Sequence, residues 1–181
     1  MSAPAYLLSW SIGYPRAICA DSLEDIYVVA YTNNRIYKYN SVGDQILTWG
    51  GYGTGDGQFK DPYGITANSL DNIYVADTTN DRIQKFDSNG NFLLKWGSYG
   101  SGAGQFDNPQ DISVSRSNNF YVADYDNHRI QKFGDALVGS KVAIVTDLSR
   151  KSYVMPLTTV SVGDKVAIMY DSSGKQFCKK L

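Results

Sequence analysis

The chain has 181 residues, 43% of them apolar and 13% aromatic, with 14 tyrosines, which is enough for one packed domain with or without a small appendage. Its net charge of −1 offers none of the basic excess that drives nucleic-acid binding through phosphate neutralisation. No stretch approaches the ~20 apolar residues of a membrane-spanning helix. The opening "MSAPAYLLSWSIGYP" lacks the basic start and long apolar run of a signal peptide, so a soluble chain is expected.

The first predicted element is a strand, "AYLLSW" (5–10). Beyond it the chain repeats. Pro15, Pro62 and Pro109 are 47 residues apart, as are Tyr27, Tyr74 and Tyr121, and Arg35, Arg82 and Arg129. Residues 68–86 and 115–133 share 11 identities in 19 positions, and 21–39 and 68–86 share 10. In the middle copy "GITAN" (64–68), "IYVAD" (73–77), "RIQKFD" (82–87) and "FLLKWG" (92–97) read as four strands, the last two joined by the Asn-Gly hairpin signal "SNGN". "GTGDG" (53–57) and "GSGAG" (100–104) lack the lysine and Ser/Thr of a phosphate-binding loop and precede a strand, not a helix. They read as crossovers from one four-stranded unit to the next. Four antiparallel strands per 40–50 residues is the pattern of a propeller blade.

The segment "GQFKDPYGITANSLDNIYVADTTNDRIQKFDSNGNFLLKWGSYG" resembles an NHL repeat, and the likeness covers about residues 5–133. The resemblance implies β-propeller blades, commonly six to a ring, that serve mostly as binding platforms for proteins or RNA. It implies lyases in a few extracellular members, which use histidine ligands in the central channel.

The motif "LLSW", "ILTW", "LLKW" places Trp10, Trp49 and Trp96 on fourth strands, and no such strand follows the third repeat. The fold expected is therefore all-β, with three four-stranded blades over 1–134, strand 5–10 completing a blade whose own fourth strand is missing. Three blades leave two sheet faces bare. A dimer closing a six-bladed ring answers this, each N-terminal strand completing blade three of the other chain. Residues 135–181 read as four more strands, "KVAIVTD", "SYVMPL", "KVAIMYD" and "KQFCKKL", forming a small antiparallel β-domain or docking appendage. The charge divides between the regions: 10 Lys+Arg against 14 Asp+Glu in 1–134, and 7 against 4 in 135–181.

Asp77 with Arg82, and Asp124 with Arg129, face each other across a hairpin and are expected to be structural ion pairs. In the first repeat Ala30 stands at the aspartate position, leaving Arg35 in need of another partner. Asn33, Asn80 and Asn127 are expected to shape the adjacent turn. The single histidine, His128, aligns with Asn34 and Asp81 and reads as a turn residue. It supports neither a nucleophilic triad nor a zinc site. "DYDN" (124–127) and "DSNGN" (87–91) lack the later glutamate of a calcium loop and read as turns. No metal or cofactor is expected. Cys19 and Cys178 read as free thiols by their spacing; a bridge between them would tie the chain ends together and mark an oxidising compartment.

Framework positions stay the same between blades, whereas ligand positions need not. Arg16, Tyr63 and Gln110 follow the repeated proline, Ala17, Gly64 and Asp111 come next, and Tyr31, Thr78 and Tyr125 occupy the second turn. Arg16, Tyr63, Gln110, Tyr31 and Tyr125 are the candidate binding residues. The function expected is a non-enzymatic interaction scaffold for a protein or glycan, suited to a larger assembly such as a virion or cell surface. The alternatives are a propeller enzyme with a carboxylate site in its channel and an RNA-binding NHL platform. The net charge of −4 over 1–134 argues against the latter.

Overall fold

The computed structural model describes residues 6, 9, 11–134, 141–146, 152–157, 166–170 and 176–180. The chain divides into two units, Met1–Phe133 and Gly134–Leu181. In the first unit β1 (Pro15–Ala20), β2 (Ile26–Ala30), β3 (Arg35–Tyr39) and β4 (Gln45–Gly50) form one antiparallel sheet in sequence order. A second sheet repeats it with β5 (Pro62–Ala67), β6 (Ile73–Asp77), β7 (Arg82–Phe86) and β8 (Phe92–Trp96). The third sheet holds β9 (Pro109–Val114), β10 (Asn119–Asp124) and β11 (Arg129–Gly134). These sheets are β-propeller blades. The third has three strands among the described residues, in keeping with the missing fourth-strand motif. The strand expected to complete it, 5–10, lies largely outside the described residues.

Each innermost strand begins at the repeated proline, and its pairing slips beside that proline: between Pro15 and Ala17, between Pro62 and Ile65, and opposite Pro109. Proline has no N–H to give the ladder, so the register opens into a bulge there. The inner strands β1, β5 and β9 lie side by side in turn.

The sheets pack face on face through two apolar clusters. Tyr27, Val29, Ile36 and Trp49 of the first blade meet Ile65, Ile73, Val75 and Phe86 of the second. Tyr74, Ala76, Ile83 and Trp96 of the second meet Ile112, Phe120, Val122 and Phe133 of the third. Each crossover contributes one buried ring, Phe59 or Phe106. Gly50 (φ +101°) and Gly97 (φ +100°) admit these rings, because a Cβ there would sit 2.9 Å from Phe59 and 2.5 Å from Phe106. The middle blade has a neighbour on both faces, so every residue of β6 and β7 is buried. The same letters "RIQKF" in β11 alternate between exposed and half-buried.

The first cluster also covers Cys19. Burial, aided by the Asp21 charge, pushes this free thiol up to about 12. The thiolate is the reactive form, so alkylation of Cys19 by iodoacetamide at pH 8 is expected to run roughly two to three orders of magnitude slower in the native chain than in urea. Peptide mass mapping reads the rate. Equal rates in the two states would contradict the packing of β1.

In the second unit β12 (Lys141–Thr146) pairs with β13 (Ser152–Leu157), and β14 (Val166–Tyr170) with β15 (Gln176–Lys180), as two antiparallel hairpins. The four strands stand where alternation placed them. No helix among the described residues is long and apolar enough to cross a membrane.

Candidate functional site

The repeated polar residues form one network, built twice. At the end of β6 the fully buried Asp77 carboxylate accepts from the Lys60 amide (2.8 Å), Asn80 Nδ2 (2.9 Å), Arg82 Nε (2.6 Å) and Gln84 Nε2 (3.0 Å). Arg82 then spends its remaining donors on the crossover: Nη1 on the Thr54 carbonyl (2.8 Å), Nη2 on those of Gly55 (2.8 Å) and Gln58 (3.0 Å). Gln84 holds the Gln58 carbonyl and the Gly57 amide. Shifted by 47 residues, Asp124, Asn127, Arg129 and Gln131 hold the crossover at Gly100–Gln105 in the same way. The two ion pairs are thus the core of a clasp that shapes the glycine-rich loop.

Sequence reasoning reached the ion pairs but missed the glutamines, whose identity at a 47-residue interval was the available signal. Asn80 and Asn127 do more than shape the turn: their amides close it onto Asp77 and Asp124 and also reach back to the Gly53 and Gly100 carbonyls of the crossover, each at 2.9 Å. The Arg35 side chain, exposed and facing Ala30, has no hydrogen-bonded or ion-paired partner among the described residues.

Burial opposes the Asp124 carboxylate, but the Asp107 amide, Arg129, Asn127 and Gln131 outweigh it and hold it below its ordinary value. At the deeper Asp77 burial dominates and pushes the carboxyl up. A carboxylate depressed in the fold contributes all its stability above its unfolded pKa, about 4, and loses it as pH falls through the folded value. Melting of Asp124→Asn followed from pH 6 to pH 3 is therefore expected to show a shallower acid-induced fall than the unmodified chain. Parallel curves would contradict the assignment.

His128, Asn34 and Asp81 all adopt the left-handed conformation (φ 52°, 52° and 51°). The Asn34 and Asp81 side chains accept the amide of the following blade's Asp61 (2.7 Å) and Asn108 (2.9 Å). His128 occupies that position on the blade with no successor among the described strands. Among the described residues no group of three or more His, Cys, Asp or Glu is arranged to hold a metal ion.

The positions that differ between blades behave otherwise. The Arg16 guanidinium lies 4.0 Å from the Tyr63 ring centre, and the Tyr31 ring meets Tyr63 edge-on at 5.4 Å. Three of the five candidates thus form one cluster at the entry to the inner strands of blades one and two. The Asp61 carboxylate, with Tyr63, pushes the Tyr31 hydroxyl up. Gln110 is half-buried on β9, its carbonyl against Gly64. Tyr125 is exposed on the third blade, with no ring contact to the cluster.

The family model for the NHL repeat matches residues 59–86 and 106–133, each running from a crossover phenylalanine to the end of the third strand. Both segments are NHL repeats. Among solved structures the chain is similar to a protein of unknown function from Bacteroides thetaiotaomicron VPI-5482 (TM-score 0.55, 19% identity, 70% of this chain and 37% of that one). It is similar to an auxiliary nutrient binding protein from the same organism (TM-score 0.52, 19% identity, 65% and 36%). A streptogramin B lyase is matched at TM-score 0.50 and 14% identity over 96% of this chain and 57% of that one. At such identities the likeness is one of fold. The chain spans between 36% and 57% of the length of these structures. No curated protein matches it.

Proposed function

We propose that this NHL-repeat chain is a non-enzymatic binding scaffold for a protein or glycan, working as half of a six-bladed ring completed by a second copy. The observation that carries the binding reading is the Arg16–Tyr63–Tyr31 cluster. The repeated charges of the second and third blades are consumed inside the clasps, whereas this cation and these rings, which vary from blade to blade, meet at the surface. Aromatic rings with a stacked guanidinium present apolar area and free N–H donors together, a combination enriched where proteins bind ligands.

The test compares the intact chain with Tyr31→Ala/Tyr63→Ala on an array of neutral, sialylated and sulfated glycans and against a displayed random-peptide library. Binders selected by the intact chain are expected to be lost from the double variant at an unchanged melting temperature. Binders indifferent to the double variant would overturn the assignment. Turnover abolished by exchanging the Asp81 or Asp111 carboxylate would favour the enzyme reading in its place.

A further inference from the structure

The third blade's outer face repeats, letter for letter in part, a face that is buried one blade earlier. Ile83 is 0% exposed and Tyr74 2%, but Ile130 is 66% exposed and Tyr121 37%. On the opposite side of the arc the inner strand shows the matching defect: Ile18 is 66% exposed where Ile65 is 5% and Ile112 is 2%. On that side of the first blade Val28 and Tyr39 are buried, while β1 and the outer strand β4, where Ile46 is 50% exposed, lie open. The same kind of blade-to-blade contact is made twice within the chain, and its two halves lie open at the ends.

The inner strands set the register of that contact. The residue after the repeated proline meets its counterpart one blade on, Arg16 over Tyr63. The next position does the same: a Cβ on Gly64 would fall 2.6 Å from the Asp111 Cα and 3.0 Å from the Gln110 carbonyl. Carrying this register one blade further brings Gln110 and Asp111 beside Arg16 and Ala17 of another first blade. Charge complementarity supports that step. Arg16 is exposed and has no hydrogen-bonded or ion-paired partner among the described residues. Asp111 is exposed, and its carboxylate accepts only the adjacent Ile112 amide at 2.9 Å.

We infer that the face around Asp111, Tyr121 and Ile130 docks on β1 of a second copy of this chain, with Asp111 ion-paired to Arg16 of that copy. The inference rests on the ring reading above and gives it an interface. The contact is head-to-tail, and a twofold ring contains it twice. Like charges brought together at such a contact are strongly unfavourable.

The experiment is native mass spectrometry of Asp111→Arg, of Arg16→Asp, and of the two mixed, with circular dichroism checking that each is folded. Each variant alone places like charges at both contacts, and its dimer dissociation constant is expected to rise at least about tenfold. In the mixture one contact is native and the other is charge-reversed, so a mixed dimer is expected at concentrations where either variant alone is monomeric. Single variants that dimerise like the unmodified chain, or a mixture that stays monomeric, would overturn the interface while leaving the ring standing. An unmodified chain that is monomeric would overturn the ring as well.

Discussion

Asp77→Ala is expected to destabilise the chain by about 3–5 kcal/mol, the cost of removing one partner of a buried ion pair. The loss exceeds a single pair because Asp77 accepts from four groups at once. Removing it leaves the Arg82 guanidinium, its side chain 9% exposed, without its carboxylate, strands the Lys60 amide, and takes one of their acceptors from Asn80 and Gln84. Asp124→Ala cuts the same network, but the Arg129 side chain is 31% exposed and water takes up part of the lost bonding. Its cost is expected to be smaller. Urea denaturation followed by tryptophan fluorescence measures both. Equal and small losses, within about 1 kcal/mol as for exposed pairs, would mean that the clasp is peripheral to the fold.

Phe86→Ala is the second large effect, about 3–5 kcal/mol for truncating a buried aromatic. Phe86 joins the first two blades: its ring centre lies 5.7 Å from Trp49, 5.6 Å from Phe59 and 6.1 Å from Phe92. No polar atom is lost, so the cost arises from the cavity and the missing ring contacts. Phe133, its counterpart 47 residues on, is half-buried and meets Trp96 and Phe106. Phe133→Ala is expected to cost less under conditions where the chain is monomeric. The same denaturation experiment decides it, and a Phe133→Ala loss equal to that of Phe86→Ala would contradict the difference in burial.

The strands were legible because β-structure alternates with period two and because 47 residues separate each strand from its copy. The Asp77–Arg82 pairing was legible for the same local reason: β6 and β7 are hairpin neighbours, and register Asp77↔Arg82 follows from the short turn. The rest of the clasp was not. Arg82 and Gln84 bind carbonyls 24 to 28 residues away, and that contact depends on how the crossover folds back over the blade. Burial of individual residues was also hidden, since "RIQKF" is fully buried in β7 and alternates in β11. Identical letters take their environment from the number of neighbouring blades. Among the candidate binding residues, Arg16 and Tyr63 meet because inner strands one period apart lie side by side, and Tyr31 joins them from the second turn. Tyr125 is the counterpart of Tyr31, but it stands two periods further on and shares no ring contact with the cluster.

Sedimentation equilibrium of the unmodified chain at micromolar concentration tests the central claim most directly. An arc of three blades whose end faces complete each other predicts a particle of twice the chain mass. A single chain mass that persists as concentration is raised would contradict it.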